Sequence, residues 1–219
     1  MAHKSADDTI LNVWKDSTVP SEHAIRGFYS VTLSEEGYER TASVLTDELG
    51  FKFIGQDGSR FRYQAATTTS TASVNADPTR QNSYQSNNNN NSIVDVLCLP
   101  YTQQGFVGVG TVHHVAWRTP TDEQQKLLRK KIIKAGLNAT PVIDRTYFRS
   151  VYFREPGGVL FEVATNPPGF AIDEKVEELG THLMLPKWLE SVRKDLEKAL
   201  PKVKLPKKGE KQEEKKIMH

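Results

Sequence analysis

The side chains best suited to chemistry cluster in the second half of the chain. His113 and His114 stand side by side in the run Val112–Arg118 (VHHVAWR), which has the composition of a buried strand. Imidazole is the side chain that most readily serves as proton carrier or metal ligand near neutral pH. Successive strand residues point to opposite faces, so only one of the two histidines enters any one cleft, and the sequence leaves open which. Glu162 is the second unusual residue, set mid-strand in VLFEVAT. A carboxylate there is costly unless it is paired or bound to a metal. A strand-borne histidine opposite a hairpin-borne glutamate suits part of a 2-His-1-carboxylate metal site. Tyr152 lies across the hairpin that turns at Glu155-Pro156-Gly157-Gly158, with Arg149 and Arg154 nearby. Spacing equally allows a plainer arrangement, in which Glu162 pairs with one of these arginines and His114 is an ordinary half-buried histidine.

The elements that must position these residues form a repeat. The first copy begins with a strand over Ile25–Leu33, followed by a helix over Glu35–Leu49 with Tyr38, Ala42, Leu45 and Leu49 on one face and Gly50 at its end. Strands over Phe51–Ile54, Phe61–Ala65 and Ile93–Leu99 follow. The second copy reads as a strand at Val112–Arg118, a helix over Asp122–Ala135 closed by Gly136, and strands at Ala139–Ile143, Ser150–Arg154 and Val159–Thr165. In this reading Tyr29 of the first copy matches His114 of the second. A twofold βαβββ repeat predicts an α+β fold in which two short sheets curl around a shared, cup-shaped cleft, since neither copy closes a core alone. A ferredoxin-like sandwich has the same element types. Beyond the repeat, Glu174–Leu185 and Lys187–Leu200 carry apolar stripes and predict two docking helices broken at Pro186.

The division of the chain is therefore an N-terminal extension (1–21), a repeat domain (22–170) with modules 24–99 and 111–166, C-terminal helices (171–200) and a disordered charged tail (201–219). The 219 residues contain only 37% hydrophobic side chains. That deficit is explained by an insertion over 65–92, rich in Thr, Ser and Asn, and by the Lys-rich tail, neither of which has enough apolar surface to fold. The 29 basic and 27 acidic residues nearly cancel, which argues against nucleic acid as a partner. A single cysteine, Cys98, excludes a disulfide framework or a cysteine zinc module, and its apolar strand gives it a packing role. No run is long enough to span a membrane and Met1–Val19 has no signal-peptide core, so a cytoplasmic location is expected.

The stretches EHAIRGFYSVTL, VHHVAWR and PVIDRTYFRSVYFREPGGVLFEVAT resemble the vicinal oxygen chelate superfamily of glyoxalase I, bleomycin-resistance proteins and extradiol dioxygenases. They are most similar to hydroquinone-type ring-cleaving dioxygenases, over about Glu22–Leu200. The resemblance implies that His114 and Glu162 are metal ligands and that Tyr152 is a catalytic residue contacting a substrate oxygen. It implies a divalent metal, Fe(II) first, with Mn(II) or Zn(II) as alternatives, and a small aromatic or dicarbonyl substrate. Two departures stand out. The first strand, which usually reads GFH, here reads Gly27-Phe28-Tyr29, and the chain corresponds to the C-terminal half of these dioxygenases, whose N-terminal module carries a further histidine ligand. His23 is the internal substitute, and a homodimer would bring a ligand from a second subunit. A truncated protein that binds a ligand or partner without turnover, or a glyoxalase-type lyase or isomerase, is also consistent with the resemblance.

Overall fold

The computed structural model describes residues 19–20, 22–24, 28–65, 92–101 and 105–202. The insertion read over 65–92 falls outside them except for Ala65 and Ser92, and the tail beyond Lys202 does likewise, as do most of the N-terminal extension, His3 and His219. Among the described residues the chain divides into two compact units, one holding Phe28–Pro167 and the other residues 19–24 together with Pro168 onward.

The larger unit contains the repeat. Strands β1 (Ser30–Glu35), β2 (Phe51–Asp57), β3 (Arg60–Ala65) and β4 (Ile93–Cys98) form a sheet in the order β1-β4-β3-β2. Strands β5 (Val115–Thr119), β6 (Ile143–Asp144), β7 (Arg149–Arg154) and β8 (Leu160–Thr165) form a second sheet in the order β5-β8-β7-β6. In each sheet the first strand pairs parallel with the fourth and the remaining pairs are antiparallel. This is the expected α+β pair of βαβββ modules. One hydrophobic cluster draws on both sheets, joining Leu33, Phe61 and Val94 to Phe153, Phe161 and Val163. Neither module closes that core alone, which is why the repeat is needed.

The two crossover helices differ. Helix α2 (Asp122–Lys134) has every terminal signal: Thr121 accepts from the Gln124 amide, Asp122 and Glu123 occupy the first turn, and Lys131 and Lys134 the last. Gly136, at φ 83°, lets the chain leave through bonds from the Gly136 and Leu137 amides to Ile133 and Ile132. Gln125 is 1% exposed and donates to the carbonyls of Arg149 and Val163, which ties α2 to β7 and β8. In the first module β1 runs on to Glu35, so α1 (Glu39–Ser43) starts later than the predicted Glu35 and continues as a π-helical turn, Val44–Glu48.

Three other expectations need correction. The predicted strand at Ala139–Ile143 is reduced to an isolated bridge, Ala139 with Phe153, and the two-residue β6. The predicted helix over Glu174–Leu185 contains only the single 3₁₀ turn Val176–Glu178. Leu179 is extended there and Gly180 takes φ 76°, which an α-helix does not permit. Over Lys187–Leu200 a 3₁₀ segment (Lys187–Val192) precedes the seven-residue α3 (Arg193–Ala199). Val176 and Trp188, of the apolar stripes read in these segments, are 64% and 75% exposed. No helix among the described residues is long and apolar enough to cross a membrane.

Candidate metal centre

Glu162 sits at the middle of β8, flanked laterally by Ala116 of β5 and Tyr152 of β7. Phe161 and Val163 point into the core at 0% and 1% exposure, so the two-residue period puts Glu162 on the opposite face. The same period places Ser150 beside Tyr152 on that face. Glu162 is nevertheless only 3% exposed, a buried carboxylate whose partners therefore matter. Ser150 Oγ donates to Oε1, and His114 Nε2 stands 2.8 Å from Oε2. The arginine alternative is not realised: Arg149 pairs with Asp122 at 2.7 Å, and Arg154 donates to the Gly158 carbonyl.

The histidine pair resolves in favour of His114. β5 begins at Val115, one residue later than the pair, so strict alternation does not govern it. Instead His113 Nδ1 lies 2.9 Å from His114 Nδ1, with the rings at 88°. His113 is exposed and backs His114 rather than facing away from it. The Tyr152 ring packs edge-on against His114 with centroids 5.7 Å apart. Arg145 lies over the Tyr152 ring at 5.4 Å and directs Nη2 to its hydroxyl at 3.4 Å. Arg145 is held there by a tight β6–β7 turn in which Thr146 takes φ 69°, strained for a β-branched residue, with its amide bonded to Asp144 Oδ1. Arg145 was not identified as a site residue from the sequence; strained loop conformation leaves no pattern there.

The donor set fits a divalent cation. Two donors about 2.1 Å from one ion and at right angles to each other stand about 3 Å apart, close to the 2.8 Å between His114 Nε2 and Glu162 Oε2. Among the described residues no group of three or more His, Cys, Asp and Glu side chains surrounds a common point, and His114 with Glu162 forms a pair. His23 belongs to the other compact unit. Phe153 is a core residue at 1% exposure, and Trp117 packs edge-on against Phe161 and Phe51.

The first module carries a counterpart. Asp95 of β4 is paired laterally with Thr32 and Arg62, as Glu162 is with Ala116 and Tyr152. Counting back two residues from Thr32 and from Ala116 equates Ser30, not Tyr29, with His114. The match of Tyr29 to His114 is therefore one residue out of register, and Tyr29 corresponds to His113. A one-residue slip exchanges the two faces of a strand, so it changes which residue meets the acid. In this counterpart the positive charge is built in: Arg62 donates two hydrogen bonds to Asp95, at 2.7 and 2.9 Å, and Arg60 one at 3.0 Å. The Arg62 bonds hold the Asp95 carboxyl below its ordinary range against the opposing effect of burial. Because the folded state favours the ionised form, this stability is complete above the ordinary carboxylate range and is lost as the pH falls through and below about 4. D95N should cost about 1–2 kcal/mol near neutral pH, screening at the partly exposed guanidiniums limiting the loss, and should flatten the acid limb of a urea-denaturation series.

Comparison with known proteins shows the family of the fold. The family described as Glyoxalase/Bleomycin resistance protein/Dioxygenase superfamily matches residues 28–163. MhqO of Bacillus subtilis, named as a ring-cleaving dioxygenase, is 37% identical over 189 residues, 86% of this chain and 54% of its own length. The chlorohydroquinone/hydroquinone 1,2-dioxygenase of Sphingobium indicum is 31% identical over 84% of this chain and 51% of its own. A crystal structure of a Bacillus subtilis protein described as a dioxygenase superimposes with a TM-score of 0.69 at 38% identity, covering 83% of this chain and 51% of that one. The chain thus spans about half the length of the relatives it matches.

Proposed function

We propose, from the premise that this chain belongs to the glyoxalase/bleomycin resistance protein/dioxygenase superfamily, that it serves a metal-dependent ring-cleaving dioxygenase acting on a dihydroxyaromatic such as a hydroquinone or catechol. The observation that carries this reading is the buried Glu162 carboxylate set 2.8 Å from His114 Nε2 on the polar face of the second sheet. The relatives named as ring-cleaving dioxygenases support the substrate class. Fe(II) is the metal we favour, ahead of Mn(II) or Zn(II). When bound, it would acidify and orient the substrate hydroxyl and carry electrons to O₂.

The chain's own residues prepare the site. Ser150 occupies Glu162 Oε1 and thereby aims Oε2 at the ligand position. With His114 Nε2 committed as a ligand, the His114 Nδ1–H donates to His113 Nδ1, which fixes the ring and its tautomer. Arg145 donates to the Tyr152 oxygen, so the phenolic proton is free to be given to an oxygen of the substrate. A third ligand from a second subunit, in a homodimer, would complete the set.

Oxygen consumption tests the reading. Anaerobically prepared protein loaded with Fe(II) should take up one O₂ per hydroquinone or catechol consumed, and Y152F should lower the rate by roughly 10²-fold or more. Metal bound without oxygen uptake on any dihydroxyaromatic would instead favour a lyase, an isomerase or a binding protein.

A further inference from the structure

Away from the His114–Glu162 pair, two more acids are buried against each other. Glu35 at the end of β1 is 5% exposed, Glu155 in the β7–β8 turn is 2% exposed, and Thr41 of α1, at 1%, lies between them. Thr41 Oγ1 is 2.6 Å from Glu35 Oε2 and 2.5 Å from Glu155 Oε2. Both separations are those of short O–H···O hydrogen bonds to carboxyl groups. Two such bonds require two hydrogens, and one hydroxyl supplies only one. The second hydrogen must sit on a carboxyl group.

The surroundings say which one. Glu155 Oε2 also accepts from the Gly157 amide at 2.8 Å, and Oε1 accepts from the Val159 amide at 2.7 Å. Three donors stabilise Glu155 as an anion. Glu35 Oε1 is buried with no hydrogen-bond partner, an arrangement far more costly for a carboxylate than for a neutral acid. The remaining titratable groups near Glu35 do nothing to neutralise it. Glu39 and Tyr38 stand beside Tyr63, whose hydroxyl is pushed up by burial and then by Tyr38, Glu35 and Glu39. No lysine or arginine among the described residues forms an ion pair with Glu35.

We propose that a proton resident on Glu35 clasps the two modules together: Glu35 donates from Oε2 to Thr41 Oγ1, Thr41 donates to ionised Glu155, and loss of the proton loosens the β7–β8 hairpin that carries Tyr152 and Glu162. Gly157 belongs to the clasp, because a Cβ at that position would overlap the Glu35 carboxyl. The titration of Glu35 agrees. It is raised to about 7, chiefly by burial; the Thr41 bond opposes the rise and the Glu155 charge adds to it. The folded protein therefore keeps a proton that the unfolded chain releases near 4.5. Stability from this source is complete below that value, declines as the pH rises, and is gone above about 7.

The direct test counts the proton. Infrared difference spectra between the wild-type protein and E35Q at about pH 6 should show a carboxylic-acid C=O band in the wild type, and that band should vanish as the pH passes about 7. In urea series over the same interval the wild-type folding equilibrium should weaken by up to ~10-fold per pH unit, whereas E35Q, with a neutral amide donor to Thr41, should lack that slope. Absence of the band in the wild type overturns the proposal. So does a band kept in E35Q and lost in E155Q, which places the proton on Glu155, or an equal pH slope in wild type and E35Q. If E35Q does not fold, E155Q carries the assignment: a band kept in E155Q and lost above about pH 7 supports the proposal, and a band lost in E155Q overturns it.

Discussion

H114A is expected to lower divalent-metal affinity by at least ~100-fold while leaving the fold intact, and E162Q to do the same. The loss should exceed the 10–100-fold typical of residues that only orient a ligand, because a ligand itself is removed. His114 is one-third exposed, so its truncation opens little cavity. E162Q retains an oxygen to accept from Ser150 but loses the charge that a cation requires. The measurement is a competition titration with a metal indicator, read beside a denaturation curve. Unchanged affinity in both variants, with the fold intact, would mean that the pair is only a buried hydrogen bond.

F161A should be the most damaging core substitution near the site. Phe161 is fully buried, next to Glu162 in β8, and packs edge-on against Trp117 at 5.4 Å and Phe153 at 5.6 Å. Removing a buried phenylalanine costs about 3–5 kcal/mol, enough to lower Tm by ~10 °C in a unit of this size. The same residue is part of the cluster that joins both modules, so its loss should also weaken metal binding by unseating Glu162. A change below about 1 kcal/mol would contradict the shared core.

The modular fold was legible because period-two and helical patterns repeat in order, and because each module's α-helix or turn ends where glycine permits it. Gly50 and Gly136, at φ 75° and 83°, mark both helix ends. Glu162 was legible because a lone acid in VLFEVAT has no cheap explanation except a partner. Asp95 in Ile93–Cys98 carries the same signal, an acid in the middle of an apolar strand, and could have been found by the same reasoning. Its neighbours Arg60 and Arg62 alternate on β3, so the pairing was also within reach.

What the sequence hid was set by geometry between elements. The strand register alone showed that Ser30, not Tyr29, stands where His114 does, since a slip of one residue is invisible in a pattern of apolar side chains. The Glu35–Thr41–Glu155 contact joins residues 114 positions apart, at Thr41 and Glu155, and leaves no periodic trace. The segment Glu174–Leu185 has a helical apolar stripe, yet Gly180 and an extended Leu179 override it, a case of backbone chemistry outweighing pattern.

In the proposed function His114 holds a metal through Nε2. Mn(II) added to the protein and followed by electron spin-echo modulation tests it most directly, since a coordinated imidazole couples its nitrogen to the metal's unpaired electrons. The account predicts an imidazole-nitrogen modulation in the wild type that disappears in H114A and survives in D95N. Bound Mn(II) with no nitrogen coupling in the wild type, or with the same coupling in H114A, would contradict it.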